Sequence, residues 1–272
     1  MDFHSHRPNG LSVVRLTLWV IVVAVIVVPI GAVVSIGLGG NHVRVLLDAG
    51  IVDAAVNSAV SAGVSAALAV VIAVAMALVL DRTDLPGRNI VRLILLSPLL
   101  IPPFVGAIAW TGLLGPSGII NKFWAEQFGG PLWNIYGGDG VIFLLTLHSY
   151  PLAYLIVAAA LRRIPGDLEQ AARVAGASPW RALRDATLPL LRTAAIAAFT
   201  LTAVSNLADF GIPALIGLPD RYVTLSTMVY RFIQSGTVAK PLEVVSTIGI
   251  VLLVLAVAAV AVADSADSCS SS

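Results

Sequence analysis

The chain has 272 residues, 58% of them hydrophobic and only 11% charged, against roughly a quarter charged in an ordinary soluble domain. That balance excludes a soluble globular protein and marks a membrane protein. The formal net charge of +1, with its basic residues scattered between apolar runs, excludes a nucleic-acid surface or an acidic polymer as partner.

A membrane helix needs about 20 mainly apolar residues. Six runs meet or approach that length: Val13 to Leu38, Ala54 to Leu80, Val91 to Leu114, Val141 to Leu161, Leu188 to Ala208 and Val244 to Ala263. The first follows Arg7 and Arg15 but exceeds the about 7–15 residues of a signal-peptide core, so it is read as a retained helix behind a tail of residues 1–12. His4 and His6 in that tail could form only an adventitious metal site. Pro102-Pro103 should kink the third run, and His148-Ser149-Tyr150-Pro151 interrupts the middle of the fourth.

Two longer connections, Gly115 to Gly140 and Gly211 to Lys240, combine turn residues with Trp124, Trp133, Tyr222 and Tyr230 and read as folded caps. Within the second, Tyr222 to Ile233 has the amphipathic, aromatic-basic character of a short interfacial helix. Basic residues near helix ends favour the cytoplasmic side. With the amino terminus inside, eleven of them (Arg7, Arg15, Arg82, Arg88, Arg92, Arg162, Arg163, Arg173, Arg181, Arg184, Arg192) lie inside. Five (Arg44, Lys122, Arg221, Arg231, Lys240) lie outside. Both termini are then cytoplasmic, and both caps external.

The charged connection between the fourth and fifth runs is ordered rather than loose. Pro165-Gly166 turns the chain, Asp167 stands as an N-cap with Gln170 three residues later as its capping-box partner, and Leu168, Ala171, Ala172 and Ala175 form one narrow stripe. Gly176 follows where a left-handed residue ends a helix. Ser178-Pro179 starts a second short helix with Trp180, Leu183, Arg184 and Thr187 on one face, and Leu188-Pro189 leads into the fifth span. On these features alone, an interfacial hairpin that merely reconnects two spans is an equal reading.

The spacing Gln170-Ala171-Ala172, three residues, Gly176, nine residues, Ala186, one residue, Leu188-Pro189 is similar to the EAA loop of permease subunits in ATP-binding-cassette importers. Two positions depart from that loop. Gln170 replaces its glutamate, with Glu169 one position early, and Ala186 replaces an isoleucine; glutamine keeps the capping geometry but not the charge. The stretches Leu96 to Gly118 and Asn206 to Phe232 resemble the amino-terminal half of ferric-iron-type fused permeases, whose relatives carry polyamines, thiamine or phosphonates.

The resemblance implies an all-α membrane protein of about six transmembrane helices, a type I ABC importer permease-like bundle spanning 13–263, with a cytoplasmic coupling helix in the loop 164–187. It implies that Glu169, Gln170, Ala171, Ala172 and Gly176, with Leu188 and Pro189, couple to separate ABC ATPase subunits. The further implied partners are a second permease half or copy, an extracytoplasmic substrate-binding protein and the lipid of a bacterial cell membrane. Residues 264–272 form a polar tail without the basic residues of a cytoplasmic flank, which fits a truncated permease half or a genuine half-size subunit.

No G-x-x-x-x-G-K-[ST] phosphate loop occurs, nor H-E-x-x-H or G-x-S-x-G, so no catalytic residue, metal site or cofactor is expected and ATP hydrolysis belongs to a partner. Cys269 is the only cysteine and can make no intrachain disulfide. Ionisable residues within spans mark pathways by default. Arg15, Arg192 and Glu243 sit close enough to helix ends to snorkel, which leaves His148, Asn206 and Asp209 as candidates for a translocation path. For Asn206 and Asp209 a helix-packing hydrogen bond is the favoured role, ahead of contact with a cation entering from outside. The rival functions are a secondary transporter or channel, which predicts ion-coupling residues at mid-membrane, and an inactive permease remnant.

Overall fold

The computed structural model describes residues 10–40, 42–236 and 240–271, with side chains from 14 to 265 in those stretches. His4, His6 and the side chain of Cys269 lie outside the described residues. All regular structure among the described residues is helical: α1 (Gly10–Val22), α2 (Val28–Gly39), α3 (Val43–Asp48), α4 (Ile51–Arg82), α5 (Arg88–Leu96), α6 (Pro103–Leu114), α7 (Ile119–Phe128), α8 (Gly138–Leu161), α9 (Asp167–Val174), α10 (Pro179–Ala182), α11 (Leu188–Ala208), α12 (Leu225–Ser235) and α13 (Pro241–Ser271). Among the described residues, six stretches are long and apolar enough to cross a membrane: Val14–Gly39, Ile51–Arg82, Pro103–Phe128, Gly138–Leu161, Pro179–Ala208 and Pro241–Ser265.

Helices dominate because a backbone in hydrocarbon has no water to bond and must satisfy its own polar groups. The core is α4 packed along α8, with α11 closing the groove between them. The buried positions of α4 are small: Ala54, Ser58, Ala62, Ala66, Ala69, Ala73 and Ala77 recur every three or four residues. Small residues let helix backbones approach closely, and dispersion contacts then replace the hydrophobic drive that is absent between helices in lipid. Val157, Ala158 and Leu161 of α8 and Leu191 and Ala198 of α11 complete one end of this core. The first span stands at the edge, where α2 packs on α13 through Gly37; a Cβ there would sit 2.7 Å from Ile250 Cδ1.

The third span differs from the sequence expectation. Pro102-Pro103 does not kink a helix running from Val91 to Leu114; it breaks the chain. α5 passes through a 3₁₀ turn, Ser97–Leu100, into extended backbone at Ile101 and Pro102, and Pro103 starts α6. A residue before proline is pushed out of the helical region by the proline ring, and two prolines in succession do this twice. His148 and Pro151, by contrast, sit inside an unbroken α8, so the expected interruption there is absent.

Elsewhere proline is absorbed by π-turns. Val23–Val27, Leu183–Thr187 and Pro213–Gly217 each close through the next residue's N–H, at Val28, Leu188 and Leu218, and Pro29, Pro189 and Pro219 follow directly. The extra residue in the turn relieves the clash of the ring with the carbonyl four residues back. One consequence corrects the sequence reading: the stretch after Ser178 is not a separate short helix but the start of a continuous Pro179–Ala208 span. At the far end α13 continues as helix to Ser271, through the residues expected to form a polar tail.

Both longer connections are folded over their described residues. In the first, α7 was not foreseen, and the buried Asn121 holds the cap together. Its Nδ2 donates to the carbonyls of Leu114, Gly115 and Trp133 at 2.7–3.0 Å. Its Oδ1 accepts the N–H groups of Leu132 and Trp133. In the second, α12 begins with a capping box between Thr224 and Thr227 and is pinned to α4 by the Leu225 N–H on Ser58 Oγ and by Asn57 Nδ2 on the Val223 carbonyl. This matches the short helix expected at Tyr222 to Ile233. Glu243 does not snorkel alone: it pairs with His42 at 2.8 Å and Lys240 at 2.7 Å, and the carboxylate holds the Lys240 ammonium above its ordinary range by accepting its hydrogen bond.

Asn121→Asp keeps the acceptor but removes the amide that serves three carbonyls. It should cost about 2–4 kcal/mol, since orphaned buried polar groups cost about 1–3 kcal/mol each. A lower melting midpoint in detergent and faster proteolysis between residues 115 and 137 are the expected readouts; an unchanged midpoint would show that the cap does not depend on Asn121.

Candidate functional site

The loop between α8 and α11 is built on a charged knot at the end of α4. Arg82, the last residue of that helix, donates through Nη2 to the carbonyls of Ile164 (3.0 Å) and Leu161 (3.4 Å). A cation there adds a donor to carbonyls at the C-terminus of α8, Leu161's also accepting the Ile164 N–H, and complements the helix dipole. Beside it, Asp81 Oδ1 accepts from Arg92 Nη2 at 2.7 Å and lies 3.7 Å from Arg162 Nη1, while Arg92 Nε donates to the Tyr154 hydroxyl at 3.0 Å. Tyr150 donates to the Leu95 carbonyl at 2.7 Å. The ends of α4, α5 and α8 are thus bound to one another where the loop departs.

α9 begins differently from the sequence reading. Its N-cap is Gly166, Asp167 is already helical, and no side chain caps the helix, so the expected Asp167–Gln170 capping box is absent. Asp167 and Glu169 in the first turn still suit the positive end of the helix dipole. The C-terminus is as expected. Gly176 has φ +92°, its N–H bonds the Arg173 carbonyl, and the Ala177 N–H bonds the Ala172 carbonyl, the paired bonds of a Schellman turn. Ser178 then caps the next helix by accepting the Arg181 N–H.

The structure separates the residues that the sequence grouped. Gln170, Ala171, Gly176 and Pro189 are exposed, and Ala172 and Leu188 half-buried. A Cβ at Gly176 would meet nothing within 4 Å. Around them stand apolar side chains that the described residues leave exposed: Leu168, Trp180 (67% exposed) and Val174 (91% exposed), flanked by Arg173 and Arg181. Glu169 turns inward, to Arg82 and Thr187, and Leu188 packs against the core of α4, α8 and α11.

The candidate path residues also part company. His148 and Ile212 line a cavity of about 210 Å³ with Pro102, Pro103, Trp110 and Leu147. Asp209 stands near it: its Oδ1 accepts the Ile212 N–H at 3.0 Å, and its charge is within electrostatic reach of His148. The broken backbone at Pro102-Pro103 therefore forms a wall of this cavity, which is where irregular backbone is tolerated at membrane depth. Asn206 does not join them. It is buried between helices, with Nδ2 donating to Ser65 Oγ at 2.8 Å and Ser149 Oγ at 3.4 Å, so it ties α11 to α4 and α8.

Sequence reasoning missed Arg82, Asp81 and Asn121. The adjacent Asp81-Arg82 at the end of an otherwise apolar 32-residue helix was a usable signal for the knot. Nothing in the local sequence marks Asn121, whose partners are scattered from Leu114 to Trp133.

The fold and sequence have known counterparts. The structure is similar to a chain in the crystal structure of a bacterial alginate ABC transporter in complex with an alginate pentasaccharide-bound periplasmic protein, with TM-score 0.74, 18% identity, and 93% of this chain and 92% of that one covered. In sequence it is 30% identical over 137 residues to the ferric transport system permease protein FbpB of Actinobacillus pleuropneumoniae, covering 50% of this chain and 20% of that protein. It is 29% identical over 159 residues to the molybdenum transport system permease protein ModB of Escherichia coli, covering 58% of this chain and 69% of ModB. The chain thus spans about a fifth of the length of the ferric relative. The family described as binding-protein-dependent transport system inner membrane component matches residues 69–267. With most of its length inside that match, the chain belongs to the inner membrane components of binding-protein-dependent transport systems.

Proposed function

We propose that the chain is the permease subunit of an ABC importer in a bacterial inner membrane, with both termini cytoplasmic. Its proposed cargo is ferric iron, received from an extracytoplasmic binding protein. A separate ATPase subunit docks on the exposed side of α9, at Gln170, Ala171, Ala172 and Gly176, and Leu188-Pro189 carries the movement into the fifth span. A second copy or a second permease half completes the pathway. The observation that carries this reading is the exposed face of α9, an uncovered apolar and basic surface on a short, well-terminated helix held directly between two spans.

The cargo reading rests on the ferric relatives and on Asp209 near the cavity, since a carboxylate favours a cation. Polyamine, thiamine and phosphonate are the other cargoes that the resemblance allows. Molybdate is a second reading, favoured by the similarity to ModB over 69% of that protein, and it predicts an oxyanion that a carboxylate would repel. A free-standing transporter or channel has less support, because Glu243 is paired with His42 and Lys240 and Asn206 serves helix packing.

Two experiments test this. An affinity-tagged chain, purified in detergent from its own cells, should bring an ATPase subunit with it, and Gly176→Asp should lose that subunit. Forcing a residue with a Cβ into the left-handed region costs about 1–2 kcal/mol, and the added charge would face the partner. An ATPase retained by both forms would place docking elsewhere; none with either would end the importer reading. Uptake of radiolabelled ferric iron should fall about tenfold or more in a His148→Ala, Asp209→Ala double variant if these groups supply about 1.4 kcal/mol or more along the path. Full uptake would remove them from it, and uptake of molybdate but not iron would select the second reading.

A further inference from the structure

α9 is eight residues long and joined by turns at both ends, Pro165-Gly166 before it and Gly176 after it. Movement of such a helix reaches the spans only through a contact that resists it. Within the chain its main packing partners are α10 and the π-turn Leu183–Thr187. The side chain that reaches beyond them is Glu169. Its Oε1 accepts from the Thr187 hydroxyl and lies 3.4 Å from Arg82 Nε.

These two partners belong to different spans. Thr187, fully buried, closes the π-turn that leads into α11, and Arg82 ends α4 while also holding the Leu161 and Ile164 carbonyls at the end of α8. One carboxylate therefore joins α9 to three spans. The charged groups around it are Arg82 on its inner side and, on neighbouring elements, Asp81, Arg92 and Arg162, which pair among themselves. The other ion pair of the loop, Arg184 with Asp185, is exposed and local and links no second element.

We infer that Glu169 is a positioning residue for coupling. It is the strut that carries displacement of α9 into α4, α8 and α11, and it does not contact the ATPase. A charge-assisted hydrogen bond to a buried hydroxyl, backed by an arginine, is stiffer than neutral contacts of the same number. Coupling between distant sites requires such contiguous elements, with differential contact in the two states. The inference rests on the importer reading above, and the test separates the two.

In a Cys269→Ser background, a cysteine at Gly106, which lines the cavity and has room for a side chain, reports cavity access through its rate of maleimide labelling. The complex purified with its ATPase subunit is labelled with and without MgATP and vanadate. With Glu169 intact the rate should change by about fivefold or more, the low end of ordinary coupling. Glu169→Ala should keep the ATPase subunit at unchanged stoichiometry yet shrink that change below about twofold, and Glu169→Asp, which retains the charge, should restore about half of it. If Glu169→Ala does not yield folded protein, Thr187→Val removes the hydroxyl alone and should give the same split. Loss of the ATPase subunit in Glu169→Ala would make Glu169 a docking residue and overturn the inference, as would an undiminished labelling change. Absence of an ATPase from the unaltered chain would instead overturn the importer reading, and the inference with it.

Discussion

The close packing of α4 on α8 is the contact on which the other features depend. The alanine and serine positions along α4 bring the two helices together over most of the membrane depth, and α11 fits against both. At one end of this seam lies the charged knot of Asp81, Arg82, Arg92 and Arg162; within it lies the Asn206 bridge to Ser65 and Ser149. Larger side chains on α4 would hold the helix backbones apart. Arg82 would then miss the end of α8, and Asn206 would miss its two hydroxyls.

Polar groups inside this bundle are placed where they hold helices in register. Ser65 and Ser149 each donate to a carbonyl of their own helix, Ser61 and Leu145, and still accept from Asn206. Such bonds in membranes are worth about 0.6 kcal/mol on average, rising to about 1.7, so their effect is on specificity of alignment more than on gross stability. The cavity has the opposite character. Its wall is mainly apolar, with His148 and Tyr150 as its titratable groups and Asp209 close by.

The prolines divide into two uses. Pro29 and Pro189 follow π-turns and leave their helices continuous, and Pro189 is the proline of the loop motif. Continuity there means that α10, the π-turn and α11 form one body, so the segment after Gly176 is already part of the fifth span. The pair Pro102-Pro103 does the reverse, ending one helix and starting another beside the cavity. The difference is local: a single proline frees one carbonyl, which a π-turn before it or, at Pro151, the helix itself accommodates, whereas two adjacent prolines force two residues out of the helical region.

Much of this was legible in the residues. The helical membrane class, five of the six crossing stretches and the Gly176 turn follow from run length, the cost of unpaired backbone in lipid, and the left-handed geometry that glycine permits, all of which act within a few residues. The third span was misjudged because an apolar run hides how strongly two prolines act together. The capping box at Asp167 and Gln170 failed because Gly166 took the cap position, a shift of one residue that composition does not mark. Only the tertiary structure decided that Glu169 faces inward while Gln170 faces outward, that Asn206 packs helices while Asp209 stands near the cavity, and that Asn121 carries the cap after α6. Each of these depends on what a residue distant in sequence presents at hydrogen-bond range, and no local pattern encodes that.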